Sequence, residues 1–350
     1  MTATARFLRL TGARLPIVQA PMAGFAGSAL AIAAMRGGAV GSLACATLSS
    51  EAAEKEIAAI RAGAEGPLNL NFFCHRLGPQ PDDSAWRAAL RPFYDKEGVA
   101  PPATPPALRR PFDAAMAELV ERTRPEIVSF HFGLPDAALL DRVAATGARI
   151  FGNATNVMEA HFLAGAKVDA IIAQGFEAGG HAGHFLIGHR PMGLLALVRQ
   201  IVKEIDLPVI AAGGIADEGG ARGATAAGAA AVQIGTAYLR APECLTSPPH
   251  RERLANAGPE DTVFTNLFSG GLARGLRNAL TDAIGPVSNL APPFPYASAA
   301  VAPLRAKAEA EGRGDYSPLW AGQGVRLAND EPAEPLTVRL GAAALAGSTP

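Results

Sequence analysis

Ala173-Gln174-Gly175-Phe176-Glu177-Ala178-Gly179-Gly180-His181 decides how this chain is read. The apolar run that leads into it, residues 169–173, reads as a buried strand. A glutamine and a glycine-rich turn follow, then a histidine. Glycine lets backbone approach a flat or anionic ligand where any Cβ would clash. His181 comes where a proton could pass to whatever lies on that backbone. Further along, Pro208-Val209-Ile210-Ala211-Ala212 ends in Gly213-Gly214, and Ala231-Val232-Gln233-Ile234 ends in Gly235-Thr236. Three consecutive strands with such C-terminal ends predict one ligand held across one face of a barrel.

The same rhythm runs through most of the chain. Strands are expected at 16–20, 39–44, 68–73, 126–132, 149–155, 169–173, 208–212 and 230–234. Amphipathic helices are expected between them, at 28–36 (capped by Ser28), 50–62, 112–123, 136–146, 157–164, 192–204 and 218–227. Eight βα units in this span match the roughly 250 residues of a (β/α)8 TIM barrel. An open doubly wound sheet would put G-x-G-x-x-G after its first strand, and Pro21-Met22-Ala23-Gly24-Phe25-Ala26-Gly27 is not that motif. The fold class is therefore α/β, with a barrel over 14–240. Residues 76–108, polar and proline-rich, read as an insertion over the barrel mouth. Residues 241–328 read as a strandless helical extension with helical pieces at 251–256, 274–281 and 299–310, and 329–350 as a tail.

Bulk properties narrow the function. The chain has 350 residues, 49% of them apolar, enough for a large core. The net charge of −1, with no basic run, argues against nucleic acid or an anionic membrane as partner. The most apolar segment, 28–48, is interrupted by Arg36, Gly37 and Gly38, and the N-terminus lacks the apolar stretch of a signal peptide. Cys45, Cys74 and Cys244 are far apart and form no CxxC, as expected of small apolar residues in a reducing cytoplasm.

In a barrel of this class the site lies at the C-terminal strand ends. Gly213-Gly214 and Gly235-Thr236 occupy the two places where backbone N–H groups commonly hold a phosphate. Asn71 and Gln174 offer amides suited to the edge of a heterocycle. A phosphate at one end and a polar-edged ring at the other describes FMN. His181 is the candidate acid–base residue. His75 and His131 are weaker candidates, and His161 and His250 read as surface residues. His181, His184 and His189 with Glu177 could also be read as a metal cluster. They lie in a glycine-containing loop without HExxH or cysteine, so no metal is expected.

Taken together, these pieces resemble the nitronate monooxygenase (2-nitropropane dioxygenase) family. The matching stretches are Gln19-Ala20-Pro21-Met22-Ala23-Gly24, the strand holding Asn71, the 173–181 segment, 208–215 and Gln233-Ile234-Gly235-Thr236. Ser269-Gly270 with Ala273-Arg274-Gly275, and Leu319-Trp320-Ala321-Gly322-Gln323, also match, so the resemblance spans roughly 14–328. Gly271-Leu272 departs from the Arg-Pro of the family pattern after Ser-Gly. The resemblance implies non-covalent FMN and oxidation of alkyl nitronates, such as propionate 3-nitronate, by O2 to a carbonyl compound and nitrite. FMN binding falls by match on Pro21, Met22, Ala23, Asn71, Gln174, Gly179, Gly180, Gly213, Gly214, Gln233, Ile234, Gly235 and Thr236, and catalysis on His181. A homo-oligomer is compatible with it. Relatives on the same barrel are NAD(P)H-dependent flavin reductases of quinones or enoyl thioesters. A non-catalytic flavin- or phosphate-binding barrel is the remaining alternative.

Overall fold

The structure, a computed structural model, describes residues 1–102 and 108–348. Residues 103–107 of the expected insertion and 349–350 of the expected tail lie outside the described residues. The strands are β1 (Ile17–Gln19), β2 (Gly41–Ala44), β3 (Leu68–Phe73), β4 (Ile127–His131), β5 (Arg149–Ala154), β6 (Ala170–Gln174), β7 (Gly180–His181), β8 (Val209–Ala212), β9 (Ala231–Ile234), β10 (Thr262–Thr265) and β11 (Ala273–Leu276). The α-helices are α1 (Ala3–Thr11), α2 (Ser28–Arg36), α3 (Ser50–Gly63), α4 (Ser84–Glu97), α5 (Ala114–Thr123), α6 (Ala137–Ala145), α7 (Val157–Gly165), α8 (Leu194–Glu204), α9 (Glu218–Ala226), α10 (Pro248–Asn256), α11 (Ala279–Ile284), α12 (Ser298–Ala310) and α13 (Ala333–Gly347).

Eight strands form one parallel sheet in the order β1-β9-β8-β6-β5-β4-β3-β2. Its edges meet at a parallel bridge between Val18 and Val40, where the Val40 N–H donates to Ile17 O at 2.9 Å. The Gln19 side chain completes the seam, its Oε1 accepting from the Ser42 N–H at 2.8 Å. This is the expected barrel. Its strands are covered on both faces, which is why they read as continuous apolar runs. Val18, Phe151, Ile172 and Ile210 pack in one inner cluster, and Phe7 of α1 joins it. Asn71, Asn153, Gln174 and Gln233 instead line a cavity among the strands' C-terminal ends.

Capped helices set the βα loops. Ser49, Asp113, Asn156 and Asp217 accept from N–H groups in the first turns of α3, α5, α7 and α9. Ser28 is not the cap of α2. Gly27 holds that place without a side-chain bond, and the Ser28 N–H donates to Glu56 Oε2 at 2.8 Å.

Three expectations need correcting. The extension is not strandless, because β10 and β11 form an antiparallel sheet with β7, so residues 274–281 begin as a strand and not as a helix. The side chain of Arg274 explains this. It is sandwiched between the rings of Phe176 and Phe264, 4.4 Å from each, and donates to Phe176 O and Thr262 Oγ1, contacts that reach β10 on one side and the turn before β7 on the other. The 329–350 tail is mostly α13, which packs on α9, α2 and β1 and buries Leu336, Leu340 and Ala344. His250 is not on the surface: it is 1% exposed, edge-on to Phe25.

Within the expected insertion, α4 packs against α12 and buries Trp86, Leu90 and Tyr94 in a separate cluster. Among the described residues, no helix is long and apolar enough to cross a membrane.

Candidate active site

A single cleft at the C-terminal strand ends encloses about 1240 Å³, its open mouth included. The structure brings Pro21, Met22, Ala23, Asn71, Gln174, Gly179, Gly180, His181, Gly213, Gly214, Gln233, Gly235 and Thr236 to its wall. Ile234 is the exception, with its side chain buried in the core between strands and helices. Alternation accounts for this: Gln233 points inward, so its neighbour points out.

The two glycine-rich strand ends lie side by side on β8 and β9. Gly214 has φ +69°, which favours glycine. Among the described residues, the backbone N–H groups of Gly214, Gly235 and Thr236 donate to no protein acceptor. Gln233 Oε1 is buried without a partner. Free N–H groups at one end and an orphaned amide oxygen nearby fit a phosphate-bearing ligand with hydrogen-bonding ring edges. Gly179 has a different reason to be glycine. A Cβ there would lie 2.5 Å from the Gly322 nitrogen, so the 319–322 segment, not a ligand, needs the space. The Gly322 N–H donates to Thr236 Oγ1 at 2.9 Å, which brings Trp320 over the cleft.

His181 is held from every side. Its strand, β7, pairs with β11, with Ala273 opposite His181. Its carbonyl accepts from Gln174 Nε2 at 2.8 Å, and Gln174 Oε1 accepts from the Gly183 N–H at 2.8 Å. Its ring Nε2 lies 2.8 Å from Ser269 Oγ. Phe294 and Trp320 approach edge-on, at 5.1 and 5.5 Å between ring centroids. Burial is the main cause that pushes the imidazole pKa well below its ordinary value, and the charges of Arg109, His131 and His75 add to it. The ring is therefore neutral near pH 7. His131 also lines the cleft, and burial takes its pKa down to about 4. His75 does not line it; its Nε2 lies 3.1 Å from Arg109 O.

The His184 and His189 rings are 5.3 Å apart, but both oxygens of Glu177 accept from the Leu194 N–H. Among the described residues, no group of three metal-ligating side chains is assembled. Cys45, Cys74 and Cys244 are free thiols, and burial raises the pKa of each.

The family model for nitronate monooxygenase matches residues 6–341. The chain belongs to the nitronate monooxygenase family. Its activity is that of a flavin-dependent oxidoreductase of this kind. The match takes in most of α1 and of α13, beyond the 14–328 expected, as suits helices packed on the barrel. A nitronate monooxygenase of Paraburkholderia phytofirmans is 41% identical over 344 residues, covering 95% of this chain and 93% of the relative. One from Pseudomonas aeruginosa is 39% identical, covering 95% and 97%. The solved nitroalkane oxidase of Streptomyces ansochromogenes superposes with a TM-score of 0.88 at 33% identity, over 98% of each chain. FabK of Thermotoga maritima shares the fold, with a TM-score of 0.74 at 22% identity over 99% of this chain and 96% of that one.

Sequence reasoning missed Arg109 and Phe73 in the cleft wall. Phe73 ends an expected strand and Arg109 borders the proline-rich stretch, and neither carried a motif. Ser269 and Trp320 lay in stretches quoted for the resemblance but were assigned no role.

Proposed function

We propose that this enzyme binds FMN in the cleft and oxidises small alkyl nitronates of the propionate 3-nitronate type with O2. Gly213, Gly214, Gly235 and Thr236 would hold the phosphate, and Asn71, Gln174 and Gln233 the ring edge. Gly180 and the Pro21-Met22-Ala23 turn would pack beside the ring. When bound, FMN would supply one-electron redox chemistry, and with O2 as oxidant the nitronate would leave as a carbonyl compound and nitrite.

The observation that carries this reading is a buried imidazole in the cleft wall, its Nε2 pinned 2.8 Å from the Ser269 hydroxyl. Ser269 Oγ lies 3.3 Å from Gly271 O and can donate to it. It then accepts from the His181 Nε2–H, which leaves the lone pair on Nδ1. That tautomer takes the proton from a neutral nitroalkane. If the Ser269 hydroxyl turns to donate to Nε2, Nδ1 carries the hydrogen and donates to a nitronate oxygen. One serine rotor thus lets one histidine serve both substrate forms. Phe294 and Trp320 fill space beside the ring that water would otherwise take.

The test is anaerobic. Yellow protein bleached by a nitronate but not by NADPH supports the reading. Rapid bleaching by NADPH would replace it with a flavin reductase, and turnover of neither substrate with a binding protein. Released flavin run against FMN and FAD standards identifies the cofactor.

A further inference from the structure

We propose that Arg109 grips an oxyanion of the substrate and so decides which nitronates the enzyme takes, an inference that rests on the nitronate reading above. Among the described residues that line the cleft, Arg109 is the only one with a formal charge. Among the described residues, no carboxylate offsets it. Burial and the like charge of Arg305 both push its pKa down, with no acidic neighbour opposing them. The sequence of 103–107 carries no carboxylate either. A cation left uncompensated in a partly desolvated place is costly, and a guanidinium there is suited to binding a flat oxyanion through two parallel N–H bonds.

Its position separates this anion from a cofactor phosphate. The backbone around Arg109 is tied to the end of β3: the Phe112 N–H donates to Phe73 O at 2.7 Å, and Arg109 O lies 3.1 Å from His75 Nε2. In the strand order, β3 stands four places from β8, across the barrel from Gly213 and Gly214. The charge of Arg109 is instead felt at His181. The anion it faces is thus the one that sits beside the histidine. A nitronate and a carboxylate present the same flat three-atom oxyanion, so a substrate carrying both offers Arg109 either.

The experiment uses the flavin-loaded enzyme with Arg109→Met and Arg109→Lys. Steady-state kinetics compare propionate 3-nitronate with ethyl nitronate, which lacks the carboxylate. Loss of a charge-assisted bidentate contact should raise KM about 10- to 100-fold in the Met variant, with a smaller change in kcat and partial recovery in the Lys variant. A rise for propionate 3-nitronate alone assigns Arg109 to the carboxylate and supports its role in selection; an equal rise for both assigns it to the nitronate group and overturns the claim that it selects among nitronates. KM values within about twofold of wild type for both, in folded and yellow protein, would overturn the proposal. A second readout needs no turnover. Succinate, an inert dicarboxylate, is titrated while the fluorescence of Trp320 in the cleft wall is followed. If wild type oxidises no nitronate, the functional reading fails, and the titration alone decides Arg109: weaker binding in the Met variant supports it, and equal or absent binding overturns it.

Discussion

Gly214→Val should yield folded protein that has lost its flavin, and the structure gives the size of the effect. Gly214 has φ +69°, and an added Cβ would lie 3.1 Å from Glu177 Cβ. Holding an L-residue in the left-handed region costs about 1–2 kcal/mol, and a branched side chain costs more. Glu177 cannot readily give way, because its carboxylate accepts from the Leu194 N–H at 3.0 Å at the start of α8. The turn itself must then move. Moving it takes the free Gly214 N–H out of line with a phosphate, and a hydrogen bond to a charged group contributes about 1.5–3 kcal/mol. The strain is a folding cost that lowers the melting temperature by a few degrees. The lost contact is a binding cost and should weaken FMN by about 10- to 150-fold.

Flavin absorbance relative to protein absorbance, and titration of the apoprotein with FMN, measure the binding part. Far-UV circular dichroism checks the barrel. Occupancy and affinity within about twofold of wild type would show that the phosphate does not lie on this turn. From sequence, Gly24→Ala in the loop after the first strand looks like a mild control. The structure removes that choice, since Gly24 itself has φ +82°. Gly223→Ala on α9 serves instead, because a Cβ there meets nothing within 4 Å and alanine suits a helix.

Other consequences can be checked separately. His181→Asn should cut nitroalkane turnover about 10²–10⁴-fold, far more than nitronate turnover, which loses only a hydrogen bond, and equal loss on both would refute the base role. Ser269→Ala leaves His181 Nε2 without its partner, so kcat/KM for nitroalkanes should fall about five- to tenfold, with a shifted pH profile; an unchanged profile would deny Ser269 a part in setting the tautomer. His250 is 1% exposed and its folded pKa falls from 6.5 to about 4, chiefly through burial. The unfolded chain binds this proton first, so the contribution of His250 is fully present above about pH 6.5 and is lost as pH falls toward 4, at most roughly 3 kcal/mol. Chemical denaturation of wild type and His250→Gln at pH 7 and pH 5 should show the smaller pH dependence in the variant, and equal slopes would contradict the assignment. Arg274→Met removes two ring contacts and two hydrogen bonds and should destabilise by about 2–4 kcal/mol while raising KM, because β7 carries His181; unchanged thermal stability would show that the clamp is not needed.

The barrel was legible because its strands are largely buried on both faces and β6, β8 and β9 run into glycine-containing turns. Those two constraints act within a few residues and leave local patterns: Asp169 to Ala173, then Gln174 and the glycines. What was not legible depends on partners distant in sequence. Residues 273–276 have no strand pattern of their own, and they are extended because Arg274 finds Phe176 and Phe264 on either side. His250 looks like a surface histidine beside Arg251 until Phe25, 225 positions away in the chain, closes over it. Even the glycines mislead singly. Gly214 is glycine for its own backbone angle, whereas Gly179 is glycine because Gly322 presses against it, and both read alike in the sequence. Arg109 is the extreme case. No pattern marks it, and its meaning comes from what is missing around it, a carboxylate that neither the cleft wall nor residues 103–107 supply. A substrate anion would complete that site, so the part of the molecule that sets specificity is the part that local sequence reports least.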